Sequence, residues 1–265
     1  MCGFLFDFAR ETCYNSYING RRKIMNKKLV FEYYSRLLDK LIDEHDYFKY
    51  YFQDPTTQYF GRLRENGLRI RCGIFRGCLI SNNCDYVVKF PLSGTGEECC
   101  EREESIYDDA LADGLDKFFV EPVYIGLYKK EITYYSSCEI DEYYSDCDYD
   151  EEYYEECLDT FKDDLEQYHT TIRIPLFAYP KAMPFSREYE EASEDIKKYV
   201  SSSSSVLRNE GTSDEVACAF VADYGVEKFE ELSLFLQQEE VDDLHRNNVG
   251  ILNGKTVIID YAGCI

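Results

Sequence analysis

The sequence predicts an α+β chain, and three observations carry that prediction. Residues 68–92 and 120–136 run in alternating or continuous apolar patterns of strand length. Residues 27–51, 97–115 and 213–236 carry apolar stripes at helical spacing. Near the C-terminus, Asn253-Gly254 joins the apolar pair Val249 and Ile251 to the β-branched run Thr256–Ile259, a strong hairpin signal.

A chain of 265 residues with 45% hydrophobic content supports a real core in one domain or two lobes. The net charge of −23 argues against gripping nucleic-acid phosphates or docking on anionic membranes. No apolar run is long enough to span a bilayer. Asp7 and Glu11 flank the short apolar N-terminal patch, and no basic region precedes it. A cytoplasmic location and reduced thiols are therefore the expectation for the twelve cysteines, which include no C-x-x-C.

Taken in order, Leu29, Tyr33, Tyr34, Leu37, Leu38, Leu41 and Ile42 form the stripe of the first helix, which Asp54-Pro55 should end. Leu68–Cys72 alternates as a strand. Cys78–Ile80 is a second, and Ser81–Asn83 reads as a turn. Tyr86–Phe90 is a buried strand carrying Lys89, and a lysine inside an apolar strand needs a partner. Ser93–Gly96 reads as a plain connector. In the helix over 97–115, Ile106, Ala110 and Leu111 form the apolar side. Glu101, Glu103 and Glu104 occupy its first turns, where acids favour the helix N-terminus. Val120–Tyr128 and Glu131–Ser136 read as two strands around Lys129-Lys130.

Residues 139–156 contain many acids and tyrosines and not one basic residue. A calcium-loop reading of Asp146, Asp148 and Asp150 fails, because Glu151 stands where glycine is needed and Cys157 where glutamate is needed. The run reads as a solvated acidic insert or as a surface for a basic protein partner. Beyond it, Cys157–Tyr168 reads as helix, Thr170–Phe177 as strand and Ser186–Val200 as an exposed helix. Ser201–Ser205 begins a linker. Ser213 starts a helix lined by Val216, Phe220 and Val221, which Tyr224-Gly225 interrupts before Phe229, Leu232, Phe235 and Leu236.

The chemistry gathers at the end. Asp243 lies on a loop, Asn248 follows five residues later, and the hairpin returns Asp260 beside them. An acid to orient a hydroxyl, with an amide and an acid to hold Mg²⁺, is what phosphoryl transfer needs. D-L-H-R-N-N at 243–248 followed by I-I-D-Y-A at 258–262 resembles the catalytic loop and metal-binding strand of the protein-kinase-like superfamily. V-V-K-F at 87–90 resembles that family's lysine strand.

The resemblance implies a bilobal fold, with an antiparallel N-lobe sheet and a truncated, mainly helical C-lobe. It implies ATP and Mg²⁺ as cofactors. Asp243 takes the catalytic-base position, and Asn248 and Asp260 the metal positions. Lys89 takes the position that grips phosphates and pairs with a helix acid, Glu103 by preference or Glu104. Tyr134 and Tyr135 fall near the adenine-binding hinge. The implied divisions are a helical leader over 1–66, an N-lobe over 67–138, the acidic insert over 139–168 and a minimal C-lobe over 169–265, with the insert between the lobes.

Several features depart from the family. Gly73 and Gly77 do not make its glycine-rich lid. Val241 replaces the usual His or Tyr, and Asp260–Gly263 replaces D-F-G. The sequence ends five residues after Asp260, so no activation segment is expected. Three functions follow as expectations: an ATP- and Mg²⁺-dependent phosphotransferase, a kinase-like nucleotide-binding or scaffold protein (a pseudokinase), or an acidic interaction or inhibitor protein acting through residues 139–156. The acceptor and the oligomeric state have no sequence signal.

Overall fold

In the computed structural model of the chain, the described residues are 25–44, 64–65, 68–72, 75–92, 94–135, 167–202, 212–242 and 244–262. The elements run α1 (Lys27–Glu44), β1 (Arg64–Glu65), β2 (Leu68–Cys72), β3 (Arg76–Ser81), β4 (Tyr86–Pro91) and α2 (Gly94–Ala112). They continue with β5 (Val123–Tyr135), β6 (Gln167–Pro180), β7 (Met183–Pro184), α3 (Glu194–Ser202), α4 (Asp214–Tyr224) and α5 (Val226–Gln238), and close with β8 (Val249–Leu252) and β9 (Lys255–Ile258). The fold is mixed α+β. One antiparallel sheet has the order β1-β2-β3-β4-β6-β5, and a small second sheet has the order β7-β8-β9.

The large sheet is covered on both faces, and β6 shows why. Leu176 and Ala178 point into one core, with Leu79, Val88 and Phe90. Phe177 and Tyr179 point into the other, with α2, α4 and α5. A strand with period-two side chains and two apolar neighbours reads as a continuous apolar run. Helix α1 closes the first face. Val30, Tyr34, Leu38 and Ile42 recur every fourth residue, so they form one buried stripe. The Tyr34 hydroxyl donates to the Tyr86 carbonyl at 2.6 Å, which ties the helix to β4. The expected continuation of α1 to residue 51, and its stop at Pro55, fall outside the described residues.

Helix α2 starts at Gly94, three residues before the predicted start, so part of the expected connector is helical. A glycine is needed at position 96 for space. A Cβ on Gly96 would lie 2.1 Å from the Phe75 carbonyl oxygen and 3.1 Å from the Pro91 Cα. Phe75, just before β3, therefore sits directly on the first turn of α2, and Leu92 N donates to Phe75 O at 2.8 Å. Alanine normally favours a helix over glycine by about 1 kcal/mol. At position 96 the sign should reverse, with Gly96→Ala costing about 1–3 kcal/mol through overpacking against backbone. A urea titration checks this, and an unchanged or raised midpoint would contradict it.

Two strand assignments are corrected. The runs 120–128 and 131–136 are one strand, β5, which passes straight through Lys129-Lys130. The charges are tolerated because Lys130 reaches back to Asp39 and Asp43 of α1, at 3.4 and 2.7 Å. The partner of β5 is β6, paired from Val123↔Ala178 to Tyr135↔Gln167. Residues Tyr135 and Gln167 bracket the acidic stretch, which therefore belongs to the β5–β6 connection within the sheet. It does not join the sheet to the helical part. Residues 139–156 themselves fall outside the described residues. The helix expected over 186–200 is shorter, since a 3₁₀ turn at Tyr189–Glu191 precedes α3.

Helix α4 buries Val216 to Val221 without a gap, as a helix surrounded by protein should. The β8–β9 hairpin turns at Asn253 (φ 53°) and Gly254 (φ 80°), two positive φ values in succession that favour Asn-Gly. The hairpin is anchored to α4. Asp223 Oδ2 accepts from both the backbone N–H and the hydroxyl of Thr256, each at 2.7 Å. No helix among the described residues is long and apolar enough to cross a membrane. Cys78, Cys84, Cys100 and Cys218 are not in disulfides, whereas Cys99 is disulfide-bonded, contrary to the expectation of reduced thiols.

Candidate functional site

Four charged groups from four elements meet between the sheet and the C-terminal hairpin. Lys89 comes from β4, Arg76 from the start of β3, Glu103 from α2, and Asp260 from just after β9. Lys89 faces the site because its cross-strand neighbour Cys78 shares its face of the sheet. Arg76 lies two residues from Cys78, so it shares that face too. Glu103 lies at the middle of α2, on the side that also buries Cys99, Cys100, Ile106 and Tyr107.

Glu103 is the hub and has no exposed surface. Its Oε1 accepts from Lys89 Nζ at 2.9 Å and from the Tyr261 backbone N–H at 3.1 Å. Its Oε2 accepts from the Tyr179 hydroxyl at 2.5 Å and lies 2.9 Å from Arg76 Nη1. That last contact is an ion pair without hydrogen-bond alignment, because Arg76 Nη1 is buried with no aligned acceptor. Lys89 Nζ also donates to the Ile259 carbonyl at 2.8 Å and lies 3.5 Å from Asp260 Oδ1. Arg76 Nη2 donates to the same Asp260 oxygen. Lys89 further sits over the Tyr179 ring, 4.6 Å from its centre.

Two cations thus answer two carboxylates, which is the condition for burying so much charge. Burial pushes the Asp260 carboxyl up, but Lys89 and Arg76 more than offset it and hold the pKa below the usual value. Burial works against the Arg76 charge, and Glu103 and Asp260 outweigh it, so the guanidinium stays protonated. Burial drives the Tyr179 and Tyr261 hydroxyls well up, with Glu103 adding to it. The Cys78 and Cys100 thiols are pushed up to about 11, again chiefly by burial, so neither is a thiolate nucleophile at neutral pH. The open side of the cluster is Asp260, whose side chain is 46% exposed, against 11% for both Arg76 and Lys89.

Of the residues singled out from sequence, Lys89, Glu103 and Asp260 come together. Glu104 does not join them. It is partly exposed on the neighbouring face of α2, with a raised pKa caused first by burial. Asn248 stands beside Asp260 through the backbone, its carbonyl accepting from Ile259 N at 2.9 Å and Asp260 N at 3.4 Å. Asp243 falls outside the described residues. Tyr134 and Tyr135 lie along the sheet from Lys89. They pair with Tyr168 and Gln167, whereas Lys89 pairs with Phe177 nine residues along β6. At about 3.3 Å per residue that is roughly 30 Å away, too far to line the same site.

Arg76 was missed. Beside Gly77 and after a turn it reads as an ordinary surface charge, and the only available signal was charge balance: one lysine cannot neutralise two acids. Tyr179 was missed as well, since in sequence it is one more apolar position of a strand.

The arrangement can bind an anion at two cations, and it can hold a lysine charged and oriented. At Asp260 a resident Mg²⁺ would compete with two cations already in place. Among the described residues no group of three His, Cys, Asp or Glu side chains is placed to hold a metal ion. The one carboxylate on the open side is already bonded to Arg76 and close to Lys89. Two unit charges about 4 Å apart interact by roughly 4 kcal/mol at an effective dielectric near 20, and a divalent ion doubles the repulsion from each cation. Compared with known proteins, the chain matches no family model, no curated protein and no solved structure.

Proposed function

We propose that this chain is a kinase-like nucleotide-binding protein that grips phosphate through Lys89. The observation that carries the reading is the convergence of Lys89, Glu103 and Asp260, three residues remote in sequence. Their order along the chain also supports it: a lysine strand, an acid-bearing helix, two further strands, a helical region, then a hairpin ending in an aspartate. An antiparallel sheet followed by α3–α5 is compatible with two lobes. By this reading β6 is the last N-lobe strand, and the connection to the second lobe is Lys181-Ala182, with Lys181 N held by the Asp85 carbonyl at 2.8 Å.

Phosphoryl transfer is the second reading, favoured by Asn248 standing beside Asp260. Geometry ranks it below binding, because Asp260 is engaged by Arg76. A third reading, acidic interaction through residues 139–156, has support only in the composition.

Thermal unfolding of the full chain with ATP tests the proposal. At about 100 times Kd the ligand should add roughly 2.7 kcal/mol of apparent stability. The shift is expected in the wild type and in Asp243→Asn, and lost in Lys89→Ala. A wild type that does not respond to ATP rules the reading out. Transfer of phosphate to the chain itself or to water, lost in Asp243→Asn, would promote the second reading over the first.

A further inference from the structure

We propose that the site takes the phosphates of a nucleoside polyphosphate without a divalent cation, Arg76 supplying the positive charge that a metal ion would otherwise bring. The inference rests on the nucleotide-binding reading above and goes beyond it in naming the counter-charge. Polyphosphate on a chain of net charge −23 needs a local positive source. Lys89 alone is largely spoken for, since it gives its protons to Glu103 and the Ile259 carbonyl. Arg76 adds a second cation: its Nη1 pairs with Glu103 at 2.9 Å, and its Nη2 reaches the half-exposed Asp260 on the open side.

A guanidinium presents a planar fork that matches two phosphate oxygens, and it keeps its charge under burial. Its position is built in. Arg76 opens β3 opposite Pro91, and the adjoining Phe75 carbonyl is fixed by Leu92 N and by the close approach of Gly96. Phosphate arriving on the open side meets Arg76 and Lys89 together and accepts from the guanidinium beside the bond that Asp260 keeps. The same bond excludes a metal, because Asp260 cannot serve two cations and a divalent ion while Arg76 remains. One residue therefore gives both properties, affinity for the anion and indifference to the metal.

Calorimetric titration of the full chain with ATP, in excess EDTA and again in excess Mg²⁺, decides the matter. Expected are wild-type dissociation constants that agree within about threefold between the two conditions. Arg76→Gln should weaken binding about tenfold or more in EDTA, with Mg²⁺ recovering part of the loss because Asp260 is released. Arg76→Lys, which keeps the charge but not the fork, should fall between. Wild-type binding seen only with Mg²⁺ overturns this inference and leaves the nucleotide-binding reading standing. Absence of binding in both conditions overturns both. Equal binding by wild type and Arg76→Gln in EDTA overturns the assignment to Arg76. If Arg76→Gln does not fold, the wild-type comparison alone decides.

Discussion

Glu103→Ala is expected to destabilise the fold by about 3–5 kcal/mol, the range for removing one partner of a buried ion pair. The carboxylate is fully buried and serves four groups: Lys89, Arg76, the Tyr179 hydroxyl and the Tyr261 backbone N–H. Without it, two nearly buried cations share only Asp260, and a buried hydroxyl and a buried N–H lose their acceptor. The neighbouring Glu104→Ala serves as the control. Its side chain is partly exposed and outside the cluster, so a change within about 0.5 kcal/mol is expected. Denaturant unfolding of both variants provides the comparison. Equal, small losses for the two would mean that the cluster contributes little to folding, and the hub assignment would fail.

Tyr34→Ala should cost about as much, roughly 3–5 kcal/mol, as large aromatic truncations in a core do. Tyr34 has no exposed surface and sits at the middle of the α1 stripe, against the outer face of the large sheet. Tyr34→Phe separates packing from hydrogen bonding. It keeps the ring and loses only the bond to the Tyr86 carbonyl, about 1 kcal/mol. The pair of variants asks whether α1 is integral to the fold. If Tyr34→Ala left the unfolding midpoint within a few tenths of the wild type, α1 would be an appendage, and the sheet would stand without it.

Much of the fold is legible residue by residue. Val30, Tyr34, Leu38 and Ile42 announce a helix face by spacing alone. Asn253-Gly254 announces a tight hairpin because its backbone needs two positive φ values. Lys89 is legible as a site residue because an ammonium inside an apolar strand demands a counter-charge. Each of these signals is local, and the physics behind each acts within one or two turns of the chain.

The choice between Glu103 and Glu104 was harder. Adjacent helix residues point about 100° apart, so only the angle at which α2 lies on the sheet selects one. Gly96 fits that setting, since a Cβ there would meet the Phe75 carbonyl oxygen. The pairing of β5 with β6 across the acidic stretch was invisible for a related reason. Strand partners are chosen by burial on both faces, and a strand's own pattern says that it is buried without saying beside what.

Sequence by itself determined most of the element types, the hairpin, the lysine that needs a partner and the acid that follows the hairpin. Tertiary structure alone decided that Arg76 joins them, that Tyr134 and Tyr135 do not, and that Asp260 is held by two cations. Charge neutralisation in a buried site is a sum over groups brought from distant segments, and no local pattern carries that sum.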